Sequence, residues 1–296
     1  MTPAESALVR PDGALEPGAS AACVPWWSFT KTLIAACVLR LAEQGRVALD
    51  APLAGRAYTV RQVLRHRAGI GDYGGIAAYH AAVARRDPPW PEDDLLARVP
   101  PDRLLSAPGT VFAYSNVGYL LLRRSIETAT GRAFGPALGD LVLARLGLER
   151  ARVAATPDDM DRTRFPGGHG YHPGWVYHGL VIGPAAEAAL ALHRLLAGRL
   201  LQPASRAALL ERVPIGGPVA GRPWRTTGYG LGLMIGTMAP ASGGPELAVA
   251  GHSAGGPGSV GAVYHAPATG RTAAVFGEGT NEGVPEALAC RMLAGS

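Results

Sequence analysis

Lysine is almost missing from this chain: of its 28 basic residues only Lys31 is an ammonium, and every other one is arginine. Asparagine is nearly as scarce, with Asn116 and Asn281 as the only two. Three cysteines, Cys23, Cys37 and Cys290, are an odd and small number for 296 residues, which excludes a disulfide framework. Aromatic residues make up 6%, and the arginines behind the net charge of +5 gather only in small groups at Arg61/Arg65/Arg67, Arg85/Arg86 and Arg123/Arg124. The dense basic stripe with interleaved aromatics that nucleic-acid binding requires is therefore absent. Apolar runs such as residues 32–39 end at a charge, far short of the roughly 18 residues that span a bilayer. Residues 1–18 lack the basic head and apolar run of a secretory leader. The expectation is a soluble protein, cytoplasmic, or periplasmic or secreted if the true start lies upstream, with no nucleic-acid or membrane partner, no cofactor and no metal.

What is present is ample core material. Hydrophobic residues are 48% of the chain, and 40 Gly and 25 Pro are spread without period or block, so turns are expected and disorder is not. Near the N-terminus the pattern predicts a strand at 7–10, a turn at Pro11-Asp12-Gly13 and a second strand at 21–24. Residues 28–45 read as a helix, since Leu33, Ile34, Cys37, Val38 and Leu41 recur at helical spacing and Gly45 can cap the end. Helical patterns follow at 60–66, 76–86, 92–98, 117–128, 136–146 and 184–201. The last third changes to strand patterns at 229–235, 247–250, 260–264 and 272–276, closed by a helix at 285–293. Strands at both ends with helices between predict an α+β fold, an α/β sandwich whose antiparallel sheet comes from both termini. In this reading 1–57 and 202–296 form the sheet region and 58–201 an inserted, mostly helical region of one structural unit.

The single lysine stands three residues after Ser28. A base beside a hydroxyl nucleophile must be able to lose its proton, which desolvated lysine can do and arginine cannot. On a helix the two would be i,i+3 neighbours in the first turn, where backbone N–H groups and the helix dipole favour developing negative charge. Tyr114-Ser115-Asn116 then supplies a phenol, an acid–base group when cations stabilise its phenolate, and one of the two scarce amides, which can both donate to and accept from a substrate.

Ser28-Phe29-Thr30-Lys31 and Tyr114-Ser115-Asn116, in this order, resemble the serine β-lactamase-related family, which includes class C β-lactamases, D-alanyl peptidases, D-aminopeptidases and esterases of the same fold. His252-Ser253-Ala254 best matches the family's third element, Lys/His-Thr/Ser-Gly. Segments 45–53, 64–70, 229–232 and 251–258 also resemble it. Two departures stand out: Ala254 replaces glycine, where a methyl could crowd a substrate along the strand, and the region before Ser28 is short. The resemblance implies a β-lactamase/penicillin-binding-protein-like fold and acyl transfer through Ser28, with Lys31 and Tyr114 sharing the removal of its proton. It further implies an oxyanion hole from the backbone N–H groups of Ser28 and Gly255, and Asn116, His252 and Ser253 as substrate-binding residues. A histidine in place of lysine is mostly uncharged at neutral pH, so it would orient Tyr114 or a substrate carboxylate only weakly. That favours hydrolysis of esters or small amides over efficient β-lactam turnover. Esters, D-amino-acid peptides and β-lactams all stay open as substrates, as do the choice of base and the oligomeric state. The alternative from another class is a catalytically weak or inactive ligand-binding or sensor protein of the same fold.

Gly251-His252-Ser253-Ala254-Gly255 also spells a Gly-x-Ser-x-Gly nucleophile elbow. The elbow's order of acid and then histidine fails here, because His265 is the only later histidine and no acid stands between it and Ser253. His66 reads as structural. His169, His172 and His178 lie close together but without metal-ligand spacing.

Overall fold

In the C-terminal third, apolar residues come in continuous blocks broken by glycine turns, and these blocks form a meander of antiparallel strands. The computed structural model describes residues 4–240 and 246–295. The strands are β1 (Glu5–Val9), β2 (Cys23–Pro25), β3 (Arg152–Val153), β4 (Val181–Pro184), β5 (Val213–Gly216), β6 (Trp224–Tyr229), β7 (Met234–Met238), β8 (Leu247–Gly256), β9 (Ser259–Ala266) and β10 (Arg271–Glu278). The helices are α1 (Thr30–Glu43), α2 (Val60–Leu64), α3 (Ala77–Ala84), α4 (Glu92–Arg98), α5 (Asn116–Thr130), α6 (Phe134–Leu138), α7 (Pro157–Asp161), α8 (Ala185–Leu196), α9 (Pro203–Leu210) and α10 (Gly283–Ala294).

Seven strands make one antiparallel sheet in the order β1-β10-β9-β8-β7-β6-β5, which joins the two ends of the chain. Its central strands are apolar at successive positions because both faces are covered. Ala262, Tyr264, Ala273 and Val275 pack with Ala289, Cys290 and Leu293 of α10. Val263, Ala274 and Phe276 point the other way, into the core that holds α1, α5 and α8. The strand period of two sorts each block between two layers of helix.

Helix α1 is buried nearly all round: Leu33, Ile34, Ala35, Ala36, Cys37 and Leu39 are fully inaccessible, and so is Lys31. Such a helix is a core element, not a surface one. Gly232 docks on it. With φ of +73° and its missing Cβ 2.6 Å from that of Ala35, only glycine fits, and the Thr32 hydroxyl donates to its carbonyl at 2.8 Å.

The expected elements at 60–66, 76–86, 92–98, 117–128, 184–201 and 285–293 appear with ends moved by a few residues. Three expectations change. The 21–24 strand does not belong to the sheet from both termini: as β2 it joins β4 and β3 in a separate three-stranded sheet. Residues 229–235 are not one strand but the β6–β7 turn, because Gly230 and Gly232 fold back onto Leu209 and α1. Residues 136–146 break up, α6 passing at Gly139–Leu143 into a π-helical turn. Helix α9 was not foreseen.

Candidate active site

Ser28 sits in a single 3-10 turn, Trp27–Phe29, that leads directly into α1. Trp27 takes φ of +39°, a costly value for a residue with a Cβ, and is pinned there by its surroundings. Its indole N–H donates to the Ser259 hydroxyl at 2.9 Å, and its ring lies against Gly256, where a Cβ would stand 2.4 Å from it. The serine is thus thrust into the cleft by strain that the sheet sustains.

Lys31 Nζ lies 3.2 Å from Ser28 Oγ, 2.7 Å from Asn116 Oδ1 and 3.2 Å from His178 Nε2. An ammonium there has three acceptors for its three protons. Burial lowers the Lys31 pKa from 10.5 to about 7, with Asp72 pulling the other way. Asp72 also sets the amide of Asn116: its carboxylate accepts from the Asn116 backbone N–H at 2.7 Å and from Nδ2 at 3.2 Å, which turns Oδ1 toward the lysine.

Tyr114 donates to Ser28 Oγ at 3.0 Å. The side chain is 36% exposed at the cleft mouth, yet burial of its hydroxyl pushes the phenol pKa well up, which the hydrogen bond to Ser28 only partly offsets. Behind the tyrosine lies His66, ring centroids 4.2 Å apart, whose Nδ1 accepts from the Ser115 backbone N–H at 3.0 Å. His66 is a buttress, as the sequence suggested.

The strand register places the third element. β7 pairs with β8 only as far as Gly251, so the β7-side edge of residues 252–256 is free. His252 and Val263 are opposite partners and share the α1 face; Ser253 and Ala262 share the α10 face. His252 is kept neutral, its pKa lowered to about 3 chiefly by burial. Its Nδ1 is 2.6 Å from the Ser253 carbonyl and its Nε2 accepts from the Tyr229 hydroxyl at 2.8 Å, so it makes no hydrogen bond to Tyr114. Ser253 Oγ accepts from Arg222 Nη2 at 2.8 Å and donates to the Glu286 carboxylate, with the Tyr264 hydroxyl 2.6 Å away. Both residues, expected to bind substrate, line the cleft wall with these polar atoms engaged by neighbours. Ala254 is fully buried in the α1-side core, so its methyl does not crowd the cleft. Ser253, mid-strand and mostly buried, is no nucleophile elbow.

Ser28, Asn116 and Gly255 line two cavities that meet at the serine. One, of about 130 Å³, is walled by Trp27, Tyr73, Tyr79, Tyr171 and His178. The other, of about 480 Å³, is walled by Phe112, Tyr114, Ile215, Met234, Arg222 and Glu282. Sequence reasoning missed His178, Asp72 and Glu282, none of which sits in a recognisable motif. Among the described residues no three His, Cys, Asp or Glu side chains converge as a metal would need. His169 faces the Thr163 carbonyl, His172 accepts from the Gly174 N–H, and His178 turns inward to Lys31.

Residues 19–290 match the model of the family described as beta-lactamase. The solved D-stereospecific amidohydrolase of a Streptomyces species superposes with a TM-score of 0.83 at 24% identity, over 99% of this chain and 94% of that one. The D-amino acid amidase of Ochrobactrum anthropi SV3 gives 0.80 at 19% identity, over 98% and 92%. A curated relative, the probable fimbrial assembly protein FimD (serogroup H1) of Dichelobacter nodosus, is 32% identical over 146 residues, 45% of this chain. That match spans 36% of the relative's own length.

Proposed function

The chain belongs to the beta-lactamase family, and on that premise we propose that it is a serine hydrolase that cleaves small amides or esters through an acyl-enzyme on Ser28. The observation that carries this reading is a serine oxygen 3.2 Å from a fully buried lysine whose pKa falls to about 7. Neutral Lys31 accepts the Ser28 proton as Oγ attacks the carbonyl. Tyr114, whose pKa moves up, stays protonated and serves as donor and relay, so the base is Lys31. The new ammonium is held by Asn116 Oδ1 and His178 Nε2 and gives its proton by way of Tyr114 to the leaving amine or alcohol. The backbone N–H groups of Ser28 and Gly255 receive the oxyanion, the latter from the unpaired edge of β8. Water then releases the acid by the same steps reversed.

Relatives of this fold described as D-amino acid amidase and D-stereospecific amidohydrolase support amides ahead of β-lactams, as does the neutral His252. The test is peptide-mapped mass spectrometry after a fluorophosphonate, beside an ester and amide panel. Label is expected at Ser28 and nowhere in Ser28→Ala. Acylation without steady-state turnover would instead make the protein a sensor, and no label at Ser28 would end the hydrolase reading.

A further inference from the structure

Gly255 and Gly256 are glycines for different reasons. On the α1 face a Cβ at Gly256 would strike Trp27; on the α10 face a Cβ at Gly255 would lie 2.7 Å from Glu282 Oε1. A carboxylate oxygen therefore hangs over the residue beside the nucleophile, at the wall of the larger cavity. Glu282 Oε2 pairs with Arg222 Nη1 at 2.9 Å, which leaves Oε1 directed at Gly255.

Among the described residues Arg222 is the one arginine lining either cavity that opens on Ser28, and its guanidinium is spent. Nε donates to Glu286 at 2.7 Å, Nη2 to Glu286 and Ser253, and Nη1 to Glu282. Glu286 is fully buried, so this pair is not dissolved by solvent. One guanidinium between two carboxylates leaves the trio with a net negative charge. His252, the other basic side chain lining the larger cavity among the described residues, is neutral with both nitrogens bonded. The cleft thus offers an incoming carboxylate repulsion and an incoming ammonium a charged acceptor.

We infer that Glu282 is a specificity-determining residue that binds a substrate ammonium next to the scissile carbonyl, which makes the substrates free amino-acid amides or esters. This rests on the serine-hydrolase reading. The substrate is then N-terminally unblocked, and compounds with a carboxylate in the same place are rejected.

The experiment compares phenylalanine amide in both enantiomers, the des-amino 3-phenylpropanamide and the monoamide of benzylmalonic acid, in which a carboxylate replaces the ammonium. Active sites are counted by fluorophosphonate label at Ser28. The wild type is expected to prefer the ammonium compound over the des-amino one by roughly 10- to 100-fold in kcat/KM. Glu282→Gln should bring that ratio near one, and Glu282→Lys should turn it toward the carboxylate compound, a gain that misfolding cannot imitate. Label at Ser28 with no ammonium preference, or a preference that survives Glu282→Gln, would overturn this inference alone. No label at Ser28 would overturn it together with the hydrolase reading.

Discussion

On the proposed mechanism, Lys31 gives the site its pH dependence. With a pKa of about 7, kcat/KM should rise about tenfold per pH unit below 7 and level off above it, measured as a full pH–rate profile. Lys31→Arg should lose roughly 10²- to 10⁴-fold, since a guanidinium cannot take the proton. The same burial costs stability. Between about 7 and 10.5 the unfolded chain holds the lysine proton and the folded one does not, so the cost is complete below pH 7 and fades as pH rises toward 10.5. Lys31→Met should therefore unfold at higher urea than wild type at pH 6, by up to roughly 5 kcal/mol, and by much less at pH 10. His178 works on the same equilibrium. Neutral and buried, its pKa depressed by desolvation and then by Lys31, it accepts a proton of the ammonium. His178→Leu should move the acid limb of the profile to lower pH and reduce kcat, a shift that a merely structural residue would not produce. The sequence marked Lys31 by its rarity. Nothing local marked His178, 147 residues away along the chain.

At the scale of elements, the position of Ser28 depends on a contact between the 3-10 turn and β8. A methyl at Gly256 would lie 2.4–2.6 Å from the Trp27 ring. Gly256→Ala should displace Trp27, and Ser28 with it. We expect kcat to fall more than tenfold while stability drops by about 1–3 kcal/mol, compared by turnover per labelled site and by urea unfolding. The helix carrying Ser28 and Lys31 was legible because its apolar residues recur at helical spacing. The β6–β7 turn was not: Tyr229–Ile235 alternates glycine with apolar residues as a strand does, and only Gly232's fit against Ala35 and the Lys31 carbonyl makes it turn. β2 was legible as a strand, but not the sheet it joins. Three residues of strand carry no information on which partner they join, and here the partner is β4.

For the whole molecule, the sheet that carries the cleft is closed by the chain's own ends. β1 covers the edge of β10 through Glu5↔Phe276 to Val9↔Thr272, and Leu8 and Val9 are buried in it. Deleting residues 1–10 should cost about 3–6 kcal/mol from those two side chains alone and expose a strand edge, read as a lower urea midpoint and a tendency to aggregate. The sequence by itself determined the antiparallel sheet from both termini, the helix bearing Ser28 and Lys31, and the pairing of Tyr114 with Asn116 in one short stretch, because periodicity and residue type are local properties. Tertiary structure alone decided the rest: that Lys31 is fully buried and its pKa brought down to about 7, that His252 and Ser253 are already engaged, and that Ala254 faces the core. It also set Glu282 over Gly255. Desolvation, strand facing and the approach of the Glu282 carboxylate to Gly255 depend on what packs against a residue in space, which no local pattern records.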